Sequence, residues 1–170
     1  MSDVNAPALC PIPPRLVAAG AGSAGFRPLL DVADLLPGDM RRVSFDDLDL
    51  LVAATSSGIV VTDDRCPHMS APLSLGTLDG CVVACVLHRG AFDLSTGETA
   101  TFPTTGGLDA DGMHHAPWVL AGAPPKPEPS ESKANARALT RTRRLRFYPA
   151  RIREGILEAR VPEATHGVEA

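Results

Sequence analysis

Cys66-Pro67-His68 and, sixteen residues further along, Cys85-Val86-Leu87-His88 are the two stretches on which this chain turns. Each offers one thiol and one imidazole a few residues apart. A thiolate is a soft donor and a neutral imidazole a borderline one, so a mixed set suits an iron–sulfur cluster or zinc. Structural zinc usually pairs Cys-x2-4-Cys with His-x3-5-His. Here each loop mixes the two donors, and the first spacing is Cys-x-His. That pattern suits two metal centres side by side, one taking a Cys from each loop and the other a His from each. Pro67 stiffens the first loop. Gly90 stands just past His88, where a backbone approaches closely or adopts positive φ. Met69, Leu73 and Leu87 are placed to shield an inorganic core.

Outward from these loops the pattern is one of short strands. Leu29 to Val32 is apolar, and Leu35-Leu36-Pro37-Gly38-Asp39 supplies a turn. Arg41 to Phe45, Leu48 to Ala54 and Ile59 to Thr62 read as strands, the last two joined by the hairpin turn Ser56-Ser57-Gly58. Asp79-Gly80 is a second hairpin signal, followed by the strand Cys81 to Ala84 and then the second loop. Ala91 to Leu94 with Ser95-Thr96-Gly97-Glu98 reads as strand and turn. Leu145 to Tyr148 alternates apolar and basic residues, and Gly155 to Val161 is expected to pair with it and close the domain.

Two regions break the pattern. Residues 1–26 are rich in Ala, Pro and Gly, and Cys10-Pro11-Ile12-Pro13-Pro14 cannot be helix, so an N-terminal arm is expected there. From Gly106 to Thr142 periodicity fails around Ala123-Pro124-Pro125-Lys126-Pro127-Glu128-Pro129-Ser130. Asn135 to Leu139 offers one helical turn at most, so 106–142 reads as a long, mobile insertion. The expected organisation is therefore an arm over 1–26, a domain over 27–162 interrupted at 106–142, and a tail over 163–170.

Bulk properties agree with a small all-β domain. In 170 residues there are 16 prolines and 15 glycines, with only 4% aromatics, a mixture that favours turns and short strands over long helices. The net charge of -4 argues against a nucleic-acid binder. No signal peptide pattern and no apolar run of membrane-spanning length is visible, so a cytoplasmic protein without a membrane partner is expected. Four cysteines in that setting suggest metal or catalysis before disulfides. Charge is uneven. Asp31, Asp34, Asp39, Asp46, Asp47, Asp49, Asp63 and Asp64 crowd the first part, and Arg137, Arg141, Arg143, Arg144, Arg146, Arg151 and Arg153 the last. The simple account is a solvated surface; the functional one is a docking face for a charged redox partner.

The stretches Asp64 to His68, Ala71 to Gly76, Cys85 to Asp93 and Thr96-Gly97-Glu98 together resemble the Rieske [2Fe–2S] ferredoxins. The resemblance implies an all-β, small antiparallel sandwich or barrel with two cluster-binding loops, here with the long insertion added. It implies one [2Fe–2S] cluster per chain held by Cys66, His68, Cys85 and His88, with both imidazoles projecting outward as the electron port. A third, proline-bearing loop is implied over the cluster, at Thr101-Phe102-Pro103-Thr104. High-potential members of the family carry an extra Cys in each loop and a hydroxyl after the second loop's His-Gly. The corresponding positions here are Ala71, Leu87 and Ala91, which points to the low-potential branch, near roughly -150 mV.

The role so implied is single-electron carriage, as the ferredoxin component receiving electrons from a flavin-type reductase and supplying an oxygenase or similar redox enzyme. No substrate site of its own is visible. One alternative is a small Rieske subunit of a larger oxidoreductase complex, nitrite-reductase-like or an oxygenase component. Another is a non-redox module stabilised by zinc. His114-His115 with Asp109 and Asp111 has the composition of a mononuclear iron site, but a polar turn inside the insertion is the simpler account. Trp118 is expected to pack the insertion onto the domain, and Cys10, Cys81 and His166 to be incidental.

Overall fold

The computed structural model describes residues 7–45 and 47–163. The expectations placed on residues 1–6, Asp46 and most of the tail, His166 included, lie outside the described residues.

The centre of the fold is a three-stranded antiparallel sheet of β2 (Met40–Phe45), β3 (Leu48–Thr55) and β4 (Gly58–Asp63), in the order β2-β3-β4. Its middle strand explains itself. Leu50 to Ala54 is an unbroken apolar run because the sheet is covered on both faces. Leu51 and Ala53, with Val60 of β4, enter one core together with Val83, Phe92, Leu94 and Phe147. Leu50, Val52 and Ala54, with Ile59 and Val61, enter a second core with Tyr148, Leu157 and Ala159. A side-chain period of two thus splits one strand between two packed layers.

The first core is closed by a four-stranded antiparallel sheet, β5 (Thr77–Asp79), β6 (Val82–Ala84), β7 (Ala91–Asp93) and β8 (Thr99–Thr101), paired in chain order. The second is closed by β1 (Phe26–Asp31), β12 (Ile156–Arg160) and β11 (Ala150–Arg153), paired in that order. The sheets remain open, so the architecture is the sandwich form of the expectation and not a closed barrel.

Two local expectations about the closing strands need correction. Leu145 to Tyr148 forms only isolated bridges. Leu145 N bonds Gly97 O, Phe147 N bonds Leu16 O and Tyr148 N bonds Val61 O, so no single neighbour is held long enough for a ladder. Phe147 and Tyr148 then enter different cores, and Pro149 lacks an amide. The partner of β12 is instead Ala150 to Arg153, across a turn in which Glu154 and Gly155 both have positive φ. The arm, from residue 7 on, runs beside the domain: Cys10 N donates to Ile59 O at 2.9 Å, and Cys10 is buried in the first core.

Within 106–142, β9 (Gly107–Leu108) pairs with β10 (His114–His115), and α1 spans Glu131–Leu139. The helix has nine residues where a single turn was expected. Its residues are good helix formers, but none is buried. Propensity without an apolar stripe leaves no periodic signal to read. No helix among the described residues is long and apolar enough to cross a membrane.

Candidate metal centre

The two donor loops leave neighbouring strand ends. The first follows β4 and the second joins β6 to β7. Asp63, the last residue of β4, is fixed from two sides: Tyr148 donates its hydroxyl to Oδ1 at 2.6 Å, and Arg146 pairs with Oδ2 at 2.9 Å. Burial, followed by the adjoining Asp63 carboxylate, raises the Tyr148 pKa, so the phenol stays a donor. The next residue, Asp64, has a wholly buried carboxylate that accepts from Ser74 N at 2.7 Å and Ser74 Oγ at 2.6 Å. These bonds tie the entry of the first loop to its exit. Inside it, Cys66 N donates to Ala71 O at 2.7 Å and Ser70 N to Cys66 O at 2.8 Å, with Ser70 at φ 60°.

The second loop is a tighter version of the same device. Cys85 N donates to Gly90 O at 2.9 Å, and the positive φ of 55° falls on Arg89, not on Gly90. Gly90 serves the close approach instead. A Cβ there would stand 3.0 Å from Pro103 Cγ and 3.2 Å from Phe92 Cζ. Pro103 is buried, and Thr104 N donates to His88 O at 2.8 Å, so residues 102–105 form the third loop lying against the other two.

Cys66, His68, Cys85 and His88 are thereby brought together. The two cysteines are buried. Burial, reinforced by the Cys85 thiol, pushes the Cys66 thiol well above its ordinary pKa. The rings of His68 and His88 meet edge to face, 4.9 Å between centroids and 88° between planes. Burial, followed by the neighbouring His88, brings His68 down to about 4. Burial, then the charges of Arg137 and Lys126, lowers His88. Both imidazoles are therefore neutral ligand-type rings near pH 7.

One observation tests whether these residues suit a metal group. His68 Nδ1 is buried without a hydrogen-bond partner, while Nε2 lies 3.2 Å from Thr105 Oγ1. A buried polar nitrogen left unpaired costs about 1–3 kcal/mol unless something else satisfies it. A metal bound at Nδ1, with Nε2 held by a hydroxyl, is an arrangement of that kind. Among the described residues no three His, Cys, Asp or Glu side chains converge on one point. A tetrahedral zinc site needs four donors on one ion, whereas a two-iron cluster takes its protein donors in pairs. The donor set fits a binuclear cluster.

Some details differ from the sequence reading. His88 is partly exposed, but His68 is only 6% exposed, so one imidazole and not two reaches the surface. Leu73 is buried, as a shielding residue must be, while Met69 and Leu87 are exposed. Thr105 went unnoticed, because a lone threonine after a Pro-Thr pair carries no pattern. Cys81 is more than filler: its thiol lies 3.3 Å from Ser56 Oγ and 3.2 Å from Ser57 Oγ, and those hydrogen bonds lower its pKa. Asp109 and His115 are structural. His115 Nε2 sits 3.0 Å from Asp109 Oδ2, Oδ1 receives the amides of Asp111 and Met113, and the His115 ring stacks on Phe102 at 4.1 Å. Trp118 fastens the insertion as expected, donating Nε1–H to Phe102 O at 2.7 Å.

Comparison with known proteins bears directly on these loops. The Rieske [2Fe–2S] domain family matches residues 26–111. Ferredoxin CarAc of Metapseudomonas resinovorans is 42% identical over 74 residues, 43% of this chain and 69% of its own. The ferredoxin component of the naphthalene 1,2-dioxygenase system of Pseudomonas putida is 36% identical over 74 residues, 44% of this chain and 71% of its own. Among solved structures, the complex of reduced oxygenase and oxidized ferredoxin in carbazole 1,9a-dioxygenase contains a chain that superposes with a TM-score of 0.53. It has 25% identity, covering 79% of this chain and 92% of that one.

Proposed function

The chain belongs to the Rieske [2Fe–2S] domain family, and from that premise we propose that it is the ferredoxin component of an oxygenase system, with Cys66, Cys85, His68 and His88 as the cluster's ligands. It carries single electrons and has no substrate chemistry of its own. The observation that supports the ligand assignment is the buried, unpartnered Nδ1 of His68 beside two buried thiols and a second imidazole. When bound, a [2Fe–2S] group with two thiolate and two imidazole ligands takes up and returns one electron at a higher potential than an all-thiolate one.

The chain's residues supply the setting for that transfer. Cys66 and Cys85 sit on the buried side, ringed by Leu73, Val83 and Phe92, which exclude water. His88 is the imidazole with access to solvent, so the electron leaves and enters through it. Thr105 hydrogen-bonds Nε2 of His68 and so orients its ring. Ala71, Leu87 and Ala91 offer neither the extra thiols nor the hydroxyl of high-potential relatives, which supports a potential near the lower Rieske limit of roughly -150 mV. A flavin-type reductase as donor, an oxygenase as acceptor and a cytoplasmic location complete the reading.

The test is elemental and spectroscopic. The purified protein should hold two iron and two acid-labile sulfide per chain, with visible absorption that dithionite bleaches. His88→Ala and Cys85→Ser should each abolish that spectrum. One zinc per chain, or a film voltammogram well above 0 mV, would contradict the reading.

A further inference from the structure

The molecule is acidic overall, yet the residues around the metal centre's opening are not. Arg89 directly follows His88. Arg143 is anchored beside the first donor loop by its amide, which donates to Pro67 O at 3.2 Å, and it lines a cleft of about 260 Å³ with Pro67, Arg65 and Arg144. The insertion brings two more cations. A Cβ on Gly107 would meet Thr140 O at 2.4 Å and Arg137 O at 3.0 Å, so the end of α1 is seated on residue 107. That residue lies two positions past Thr105, the residue in contact with His68. Arg137 and Lys126 are close enough for their charges to be felt at the His88 ring.

None of Arg89, Lys126, Arg137 and Arg143 forms an ion pair among the described residues. By contrast Arg144 and Arg146 are neutralised by Glu98, Asp111 and Asp63. The insertion's exposed acids are Asp111, which pairs with Arg144, and Glu128 and Glu131. The donor loops themselves expose apolar side chains next to the ligand positions: Met69 at 59%, Val86 at 55% and Leu87 at 61%. An apolar centre with a charged rim is how protein interfaces are built.

We propose that Arg89, Lys126, Arg137 and Arg143 form a basic rim around the His88 port that selects a redox partner whose contact patch is acidic, with the 106–142 insertion supplying half of that rim. This inference rests on the electron-carrier reading. It gives the insertion a role: it carries cations to a port that the two donor loops alone would leave with fewer. Steering by such a rim raises encounter rates at low salt and fades as the Debye length shrinks.

The experiment uses one haem protein in two charge states. The dithionite-reduced holoprotein is mixed with native cytochrome c, which is basic, and with succinylated cytochrome c, which is acidic. The net charge of -4 alone would favour the basic acceptor; the rim favours the acidic one. The expected result is faster transfer to the succinylated form, by about tenfold or more at low salt. The advantage should shrink at high salt. The triple variant K126E/R137E/R143E should lose it while its visible spectrum stays unchanged. Equal rates at low salt, a preference for native cytochrome c, or a variant with an unaltered rate ratio would overturn the proposal. If the variant does not fold, the salt dependence of the two wild-type rates still decides. A protein without the iron–sulfur spectrum would instead sink the electron-carrier reading, and this inference with it.

Discussion

Thr105 Oγ1 lies 3.2 Å from His68 Nε2, and His68 Nδ1 is the ring atom without a partner. This placement leaves Nδ1 as the atom free to act as a ligand. With Nδ1 as the donor atom to iron, the proton sits on Nε2 and is given to the threonine hydroxyl. Donating that hydrogen bond makes the imidazole a stronger base and stabilises the oxidised state.

Thr105→Val should therefore raise the reduction potential. A hydrogen bond worth about 0.5–1.5 kcal/mol corresponds to ~20–60 mV for a one-electron couple. Thr105→Ser should restore the wild-type value. Protein-film voltammetry of the three proteins measures it, and a fall in potential for the valine variant would contradict the assigned tautomer.

Asp64 joins the two ends of the first donor loop through Ser74. Asp64→Ala leaves the half-buried Ser74 amide without its acceptor and should cost about 1–3 kcal/mol of stability. It should also loosen iron retention, by ~10–100-fold in metal affinity if the loop acts as support for its ligands. Asp64→Asn, which keeps one acceptor oxygen, should be milder. Denaturant melts paired with iron release to a chelator separate the two effects.

Thiol reactivity should divide the four cysteines. Cys81 is half-buried, with its pKa lowered by its hydrogen bonds with Ser56, then Ser57. Cys10 is buried and raised by that burial. The thiolate is the nucleophile, so iodoacetamide should label Cys81 first near neutral pH and Cys10 slowly, if at all. In the holoprotein Cys66 and Cys85 should be protected. After chelation of the iron under reducing conditions they should become reactive as well. Peptide mass spectrometry before and after iron removal reads all four, and labelling of Cys66 in the holoprotein would count against it as a ligand.

The turn around Asp109 should open in acid. Its pKa is lowered from 3.8, first by the His115 hydrogen bond and then by the Met113 and Asp111 amides. A carboxyl depressed on folding contributes stability that is present above its ordinary value and lost as pH falls through its folded one. The amide resonances of Asp111 and Met113 should hold steady down to about pH 4 and shift below it. Asp109→Asn should abolish that titration.

Several of these features were legible in the linear sequence. The two Cys/His spacings named the metal chemistry, because donor type and spacing are local properties. Apolar runs bounded by Ser56-Ser57-Gly58 and Asp79-Gly80 located the strands β3, β4 and β6. That the Leu50 to Ala54 run is buried on both faces appears only in the packed fold. Leu145 to Tyr148 misled for a physical reason: alternation marks an extended chain, but it does not say whether one neighbour stays alongside long enough to form a ladder. The helix α1 was missed because it packs no apolar stripe; its place is set by the space that Gly107 leaves open.

What the sequence determined by itself was the all-β class, the kind of metal group and the candidate donors for it. Only the tertiary structure decided that His68 is covered by Thr105 while His88 is partly exposed, and that the insertion returns to seat the end of α1 on Gly107, two residues past Thr105. The reason is separation along the chain. Thr105 lies 37 residues from His68, and no local periodicity can encode a contact made by loops from different sheets.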